Sequence, residues 1–127
     1  MSRWWTDYIG IPFADRGRDR SGCDCWGLVR LVYAERCGID LPSYLDGYRD
    51  IADGEGLARG MAVMLPDWRA SDPVEFAVPL IRFHQGRLHV GILVDGRRML
   101  HVERAKLACV EPLAPYRNLL QGLFVPA

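Results

Sequence analysis

The order of segments along the chain predicts an α+β fold. A strongly patterned helix lies early, and a run of short alternating segments with a hairpin turn fills the second half. The 127 residues are half hydrophobic and one quarter charged, the composition of a globular chain able to bury its own core, so one domain over 1–127 is expected.

The elements follow in order. Residues 2–9 are short and aromatic-rich and predict one or two helical turns. Residues 10–22 read as a loop, with Gly10, Pro12, Gly17 and Gly22 separated by Asp15, Arg16, Arg18, Asp19 and Arg20. Residues 25–37 give the clearest helix. Leu28, Val29, Leu31, Val32 and Tyr33 make a broad apolar face, Arg30, Glu35 and Arg36 lie off it, Asp24 is a good N-cap, and Gly38 suits the position past the end. The stretch 39–42 reads as extended, 46–64 as partly helical despite Gly54, Gly56 and Gly60, and 65–75 as a loop. Strands are predicted over 76–83, 87–94 and 98–104, with Asp95-Gly96 as the turn between the last two. Residues 107–111 suggest a further short strand, and Leu123-Phe124-Val125 a closing one. Pro79 lacks a backbone donor and points to an edge strand or an irregular start.

The formal net charge is zero, which argues against a general nucleic-acid or anionic-membrane binder. No apolar run approaches the roughly 20 residues of a membrane span. The N-terminal residues Met1 to Asp7 have no apolar core of signal-peptide length, so synthesis in the cytoplasm is expected and any export needs another vehicle. The four cysteines are expected to be free thiols, with Cys37 and Cys109 as inert core residues.

Gly22-Cys23-Asp24-Cys25-Trp26-Gly27 places the Cys25 thiol on the first turn of the helix. The unsatisfied N–H groups and partial positive charge of that end favour a thiolate, so a lowered pKa is expected. The same N–H groups suit a developing oxyanion. A buried structural cysteine is the simpler reading of such a residue taken alone.

A thiol nucleophile needs a base, and the base an orienting partner. Three histidines occur. His84, beside Gln85-Gly86, reads as a loop residue. His89 and His101 lie on adjacent predicted strands. A two-residue loop at Asp95-Gly96 would set them on opposite faces. A three-residue loop, Asp95-Gly96-Arg97, sets His101 opposite Gly91 and diagonal to His89, roughly 7–8 Å away at Cα. The odd parity is the expectation, with Gly91 leaving room for an imidazole.

Tyr8-Ile9-Gly10-Ile11-Pro12-Phe13, Asp24-Cys25-Trp26-Gly27-Leu28-Val29, His89-Val90-Gly91-Ile92 and Leu100-His101-Val102, in this order, resemble the NlpC-type cell-wall cysteine peptidases. Trp26 followed by Arg30-Leu31-Val32-Tyr33 resembles the branch found in phage tails and gene-transfer particles. The resemblance implies a papain-like α+β fold with the nucleophile helix packed on an antiparallel sheet. It also implies hydrolysis of peptidoglycan peptide stems, with Cys25 as nucleophile, His89 as general base and then acid, and His101 as orienting residue. The Cys25 N–H would join the oxyanion hole, and Asp24, Trp26 and Phe13 would lie at the substrate edge. Partners implied are peptidoglycan stems and tail-tip or baseplate hub proteins. Phe13 stands where many relatives have Tyr, Trp26 where many have Ser, and Glu75-Phe76-Ala77 replaces the Gly-Asp pair that usually opens the first sheet strand.

Other readings stay open. Cys23, Cys25, His89 and His101 are all potential metal ligands, but Cys-Asp-Cys lacks the usual spacing of structural zinc, and no metal or cofactor is expected. Arg16, Arg18 and Arg20, interleaved with acids, form either a solvated loop or a rim for carboxylates. Trp4 and Trp5 are either packing residues or a partner anchor. A tail-tip plug retaining the fold, and a thiol acyltransferase or amidase, are the alternative functions.

Overall fold

The structure is a computed structural model that describes residues 3–42, 68–84 and 86–127. The helical expectation over 46–64 lies outside the described residues. The chain opens with a 3-10 turn, Trp4–Asp7, and a two-residue hairpin, β1 (Arg18–Asp19) with β2 (Gly22–Cys23), inside the stretch expected to be loop. Helix α1, Cys25–Val32, starts as expected: Asp24 is extended and its carboxylate accepts from the Gly27 N–H, which removes one of the unsatisfied donors of the first turn. Leu28, Val29 and Val32 are buried, each contributing roughly 1.5–3 kcal/mol. Tyr33–Cys37 continues the helix as a wider π-helical turn, and Gly38 ends it at φ 66°, a left-handed conformation that glycine adopts without a Cβ clash.

The strands that follow are β3 (Trp68–Ala70), β4 (Val78–Arg82), β5 (Leu88–Val90), β6 (Ile92–Leu93), β7 (Arg98–His101), β8 (Cys109–Pro112) and β9 (Leu120–Pro126). One sheet runs β3-β9-β4-β5 and another β6-β7-β8, with antiparallel pairing throughout. Backbone bonds from Phe76 N–H to Leu93 O and from Leu93 N–H to Ala77 O, both 2.8 Å, join them. A single expected strand over 87–94 is therefore divided at Gly91 into β5 and β6. Trp68–Ala70, expected as loop, is a strand because β9 extends to Pro126 and gives it a partner. Residues 114–119 form a 3-10 turn that the sequence reading did not anticipate.

β4 lies between β9 and β5, so Pro79 is not on an edge. The other half of that expectation holds. Pairing with β5 begins only at Leu80, and the register against β9 shifts between Leu80 and Ile81. Phe76, just before β4, sits at φ 70°. That region costs a side-chain-bearing residue roughly 1–2 kcal/mol. The Phe76 ring stacks on Trp4 at 4.7 Å, and the Tyr33 hydroxyl donates to the Phe76 carbonyl, which together hold the strained residue in place.

The core has two parts. α1 packs its apolar residues with Leu80, Leu88, Val90, Ile92 and Leu100 on one side of the strands. Ala77, Ile81, Leu93 and Met99 form a second cluster with Phe83, Tyr116 and Leu123 on the other. Trp4 is a core residue, with its indole N–H donated to Glu75 at 2.9 Å; Trp5 is half-buried beneath the Arg98 guanidinium. Among the described residues, no helix is long and apolar enough to cross a membrane.

Candidate active site

The hairpin between β6 and β7 determines where the histidines go. Leu93 faces Met99, Ile92 faces Leu100, and the Val94 N–H bonds the Arg98 carbonyl at 3.0 Å, leaving a loop of Asp95, Gly96 and Arg97. This is the odd parity expected. The loop contains no residue with positive φ; instead one Asp95 oxygen accepts from the N–H groups of Arg97 (2.8 Å) and Arg98 (2.9 Å) and turns the chain with its side chain. Continuing the register sets Gly91 opposite His101. A Cβ on Gly91 would lie 3.0 Å from the Leu100 carbonyl oxygen and 3.2 Å from the His101 Cβ, so a side chain there would crowd the imidazole's strand.

The outcome is a buried histidine pair: His89 Nε2 and His101 Nδ1 are 2.9 Å apart. His89 is 4% exposed and His101 1%. Phe83 packs against His89 and Tyr116 against His101 at ring separations of 5.6 and 5.9 Å. Burial, followed by the neighbouring His101 and Arg87, pushes the His89 pKa down to about 3, so this imidazole is neutral at physiological pH. On its far side, His101 Nε2 lies 3.0 Å from Glu111 Oε2, and the Tyr116 hydroxyl donates to that same oxygen at 3.0 Å. Glu111 is ionised: although partial burial raises its pKa, the hydrogen bonds from Tyr116 and His101 bring it below the usual carboxylate range. Burial and the Glu111 bond raise the Tyr116 pKa.

Cys25 occupies the first position of α1 and is 1% exposed. The backbone N–H groups of Val90 and Trp26 hydrogen-bond its sulfur, which places the thiol against the residue next to His89. Among the described residues there is no hydrogen bond between Cys25 and His89, so the histidines are brought together but the thiol is not yet joined to them. The expectation of a lowered Cys25 pKa is overturned. Burial strips the thiolate of water, the adjacent Asp24 carboxylate repels it, and the two N–H groups and Arg18 only partly offset this, so the pKa is pushed up to about 12. The helix end that was expected to stabilise a thiolate already serves Asp24. Among the described residues no acceptor takes the Cys25 N–H.

The other sequence-derived residues lie deeper than expected. Asp24 is wholly buried and paired at 2.8 Å with Arg18, which also donates to the Gly17 carbonyl. Arg20 reaches Glu35 and the Asp7 carbonyl, both at 2.7 Å, across the Tyr8 ring. Arg18, 13% exposed, is thus an internal clamp rather than part of a rim, whereas Arg20, 47% exposed, pairs at the surface as the solvated-loop reading expects. Trp26 is buried against Trp68 with its indole N–H donated to the Pro42 carbonyl at 2.8 Å. Phe13 is half-buried and bridges to Cys23, with its N–H on the Lys106 carbonyl.

All four cysteines are free. Cys23 is buried and donates to the Asp19 carbonyl at 3.0 Å, and burial pushes its pKa up to about 11. Cys37 and Cys109 are half-buried rather than core residues. Among the described residues, the groups whose ligand atoms lie within 4.8 Å of one another are His89, His101, Glu103 and His101, Cys109, Glu111; Cys23 and Cys25 join neither. Glu111 and Tyr116 escaped the sequence reading. The signal available was alternation: in the strand predicted over 107–111, Cys109 pairs with His101, so Glu111 follows on the same face.

No curated relative is matched. The fold is similar to the crystal structure of the NlpC/p60 domain of the peptidoglycan hydrolase SagA, with a TM-score of 0.63 and 19% identity over 96% of this chain and 92% of that one. It is equally similar, at TM-score 0.63 and 20% identity, to a lipoprotein-like NLP/P60 protein of Staphylococcus aureus subsp. aureus Mu50; 93% of this chain is covered, but only 37% of that protein's length. These likenesses establish the papain-like α+β fold. The model of the NlpC/P60 family itself matches residues 10–118, which takes in the helix start, both histidine strands and Glu111, and on that match the chain belongs to the NlpC/P60 family.

Proposed function

We propose that the protein is a cysteine peptidase that hydrolyses peptide stems of bacterial peptidoglycan, with Cys25 as nucleophile, His89 as base and His101 as its orienting partner. The observation that carries this reading is the 2.9 Å bond between the buried imidazoles of His89 on β5 and His101 on β7, with the N–H of Val90, the residue after His89, directed at the Cys25 sulfur. Family membership and the peptidoglycan hydrolase among the similar folds support the substrate class.

In the resting site both partners are neutral, a thiol and an imidazole. Attack therefore couples two events: the sulfur bonds to the scissile carbonyl carbon as its proton passes to the free nitrogen of His89. The Cys25 N–H stabilises the oxyanion. Collapse breaks the C–N bond, and His89 returns its proton to the leaving amine. Water, deprotonated by His89, then cleaves the thioester, and its proton returns to the sulfur. Asp24 positions the helix end that presents Cys25, and Trp26 and Phe13 flank it.

The resemblance of the Trp26 segment to the phage-tail branch supports a finer reading: a component made in the cytoplasm, docked on tail-tip or hub proteins and used to breach the wall. A second reading, a tail-tip plug that keeps the fold for binding, draws on the 1% exposure of Cys25. Digestion of purified peptidoglycan with mass spectrometry of the soluble fragments separates them. Stem peptides cut by hydrolysis support the peptidase; amide-transfer products support an acyltransferase. No release by the protein, alone or in purified tail-like particles, contradicts catalysis, and absence of the chain from such particles contradicts the tail placement.

A further inference from the structure

We propose that Glu111 is a positioning residue that sets the tautomers of both site histidines, with Tyr116 holding its carboxylate in place. The inference takes its catalytic consequence from the peptidase reading above, but its structural content rests on the hydrogen bonds alone.

The argument is one of elimination along a chain of four groups. An ionised carboxylate only accepts, so the nitrogen it meets must carry hydrogen. Glu111 Oε2 lies 3.0 Å from His101 Nε2, so Nε2 is the protonated nitrogen of His101. With Nε2 holding the ring's single hydrogen, His101 Nδ1 is an acceptor. That nitrogen lies 2.9 Å from His89 Nε2, which must therefore be the donor. His89 is neutral, because burial disfavours its charged form. Its remaining nitrogen, Nδ1, then holds the lone pair and is the one not used within the pair. With one hydrogen on each ring, reversing any link would set two lone pairs or two hydrogens against each other in a site where both rings are at least 96% buried. The one other consistent arrangement, a doubly protonated His101 donating to both neighbours, carries hydrogen on Nδ1 and is the contrary outcome of the test below.

Tyr116 completes the chain from outside. Its hydroxyl donates to the oxygen that His101 uses, and its ring packs edge-on to His101 at 78°. Pro115 and the 3-10 turn 114–119 carry that ring, with the Tyr116 N–H bonded to the Leu113 carbonyl at 2.9 Å. The Glu111 side chain is 43% exposed, so without this anchor it could swing into water. Orienting groups behind a functional imidazole commonly matter by about 10–100-fold.

Long-range proton–nitrogen correlation spectra of the full chain labelled with nitrogen-15 at histidine read the tautomers directly. The expected wild-type result at pH 7 is Nε2–H for both His89 and His101, and Nδ1–H on His101 overturns the proposal. Glu111→Ala is expected to shift His101 toward Nδ1–H and to lower kcat about 10–100-fold on a soluble stem peptide, with KM changed by less than about twofold. Tautomers unchanged in Glu111→Ala overturn it as well. The wild-type spectrum needs no variant, so the test stands even where a variant fails to fold. Failure of the peptidase reading shows separately, as absence of turnover in a wild-type protein whose tautomers are as expected.

Discussion

The two halves of the site are built in opposite ways. The helix end around Cys25 is closed: Asp24 is wholly buried, its charge is taken by Arg18 and by the Gly27 N–H, and the thiol beside it is held neutral. The histidine strands are open-ended: a buried pair is connected to the half-exposed carboxylate of Glu111 and, through it, to a tyrosine. The same feature, a carboxylate one step from a reactive group, works against ionisation in one place and orients a ring in the other. Asp24 is a through-space repulsion on the sulfur, whereas Glu111 is joined to His101 by a hydrogen bond. The site therefore holds no standing thiolate, and its reactivity depends on proton transfer to His89 as a carbonyl arrives.

The largest expected break of this contrast is at Asp24. Asp24→Ala removes a helix cap and the buried ion pair with the 13%-exposed Arg18 side chain, costing about 3 kcal/mol, or roughly 10 °C in Tm by calorimetry. Asp24→Asn keeps the cap but removes the repulsion, so Cys25 should be alkylated faster than in wild type.

In wild type, alkylation at pH 7.5 followed by peptide mass spectrometry should find Cys25 at least about tenfold slower than half-buried Cys37, because it is both buried and held as a thiol. Its rate should climb with pH with no plateau between 8 and 9. A fast Cys25 with such a plateau would restore the helix-end thiolate.

Acid stability probes the other half. The His89 pKa is lower in the folded than in the unfolded chain, so the unfolded state binds the extra proton and stability falls with falling pH. The loss begins near the unfolded value of about 6.5 and continues toward the folded value of about 3. Between pH 7 and 5.5 it should amount to roughly 1 kcal/mol by urea unfolding, and His89→Gln should remove it.

The smallest effect lies where the helix side meets the sheet. Phe76→Ala and Phe76→Gly both lose the stack on Trp4, but only glycine relieves the φ of 70°. The glycine variant should be the more stable of the two by about 1 kcal/mol, the reverse of the usual order in a strand.

What the sequence made legible follows from how local each signal is. Asp24 as cap, Gly38 as terminator and the three-residue Asp95–Arg97 loop are set by short-range chemistry, and the last places His89 and His101 on one face. Signals needing a distant partner were lost. Trp68–Ala70 is a strand only because β9 passes beside it, and Glu111 matters only because the β7–β8 register carries it to His101. Of the two readings of Pro79, an irregular strand start is local and holds, whereas an edge strand does not, since nothing nearby shows that β9 and β5 enclose it. The Cys25 pKa departs from the sequence expectation for the same reason: the helix end is local, but the burial that outweighs it comes from the whole core.

The central claim, that Cys25 attacks the stem carbonyl, is tested most directly by kcat/KM for wild type and Cys25→Ala on one defined stem peptide, with circular dichroism to verify folding. The account predicts a fall of more than about 1,000-fold in a folded variant. Equal turnover by the two proteins would contradict it.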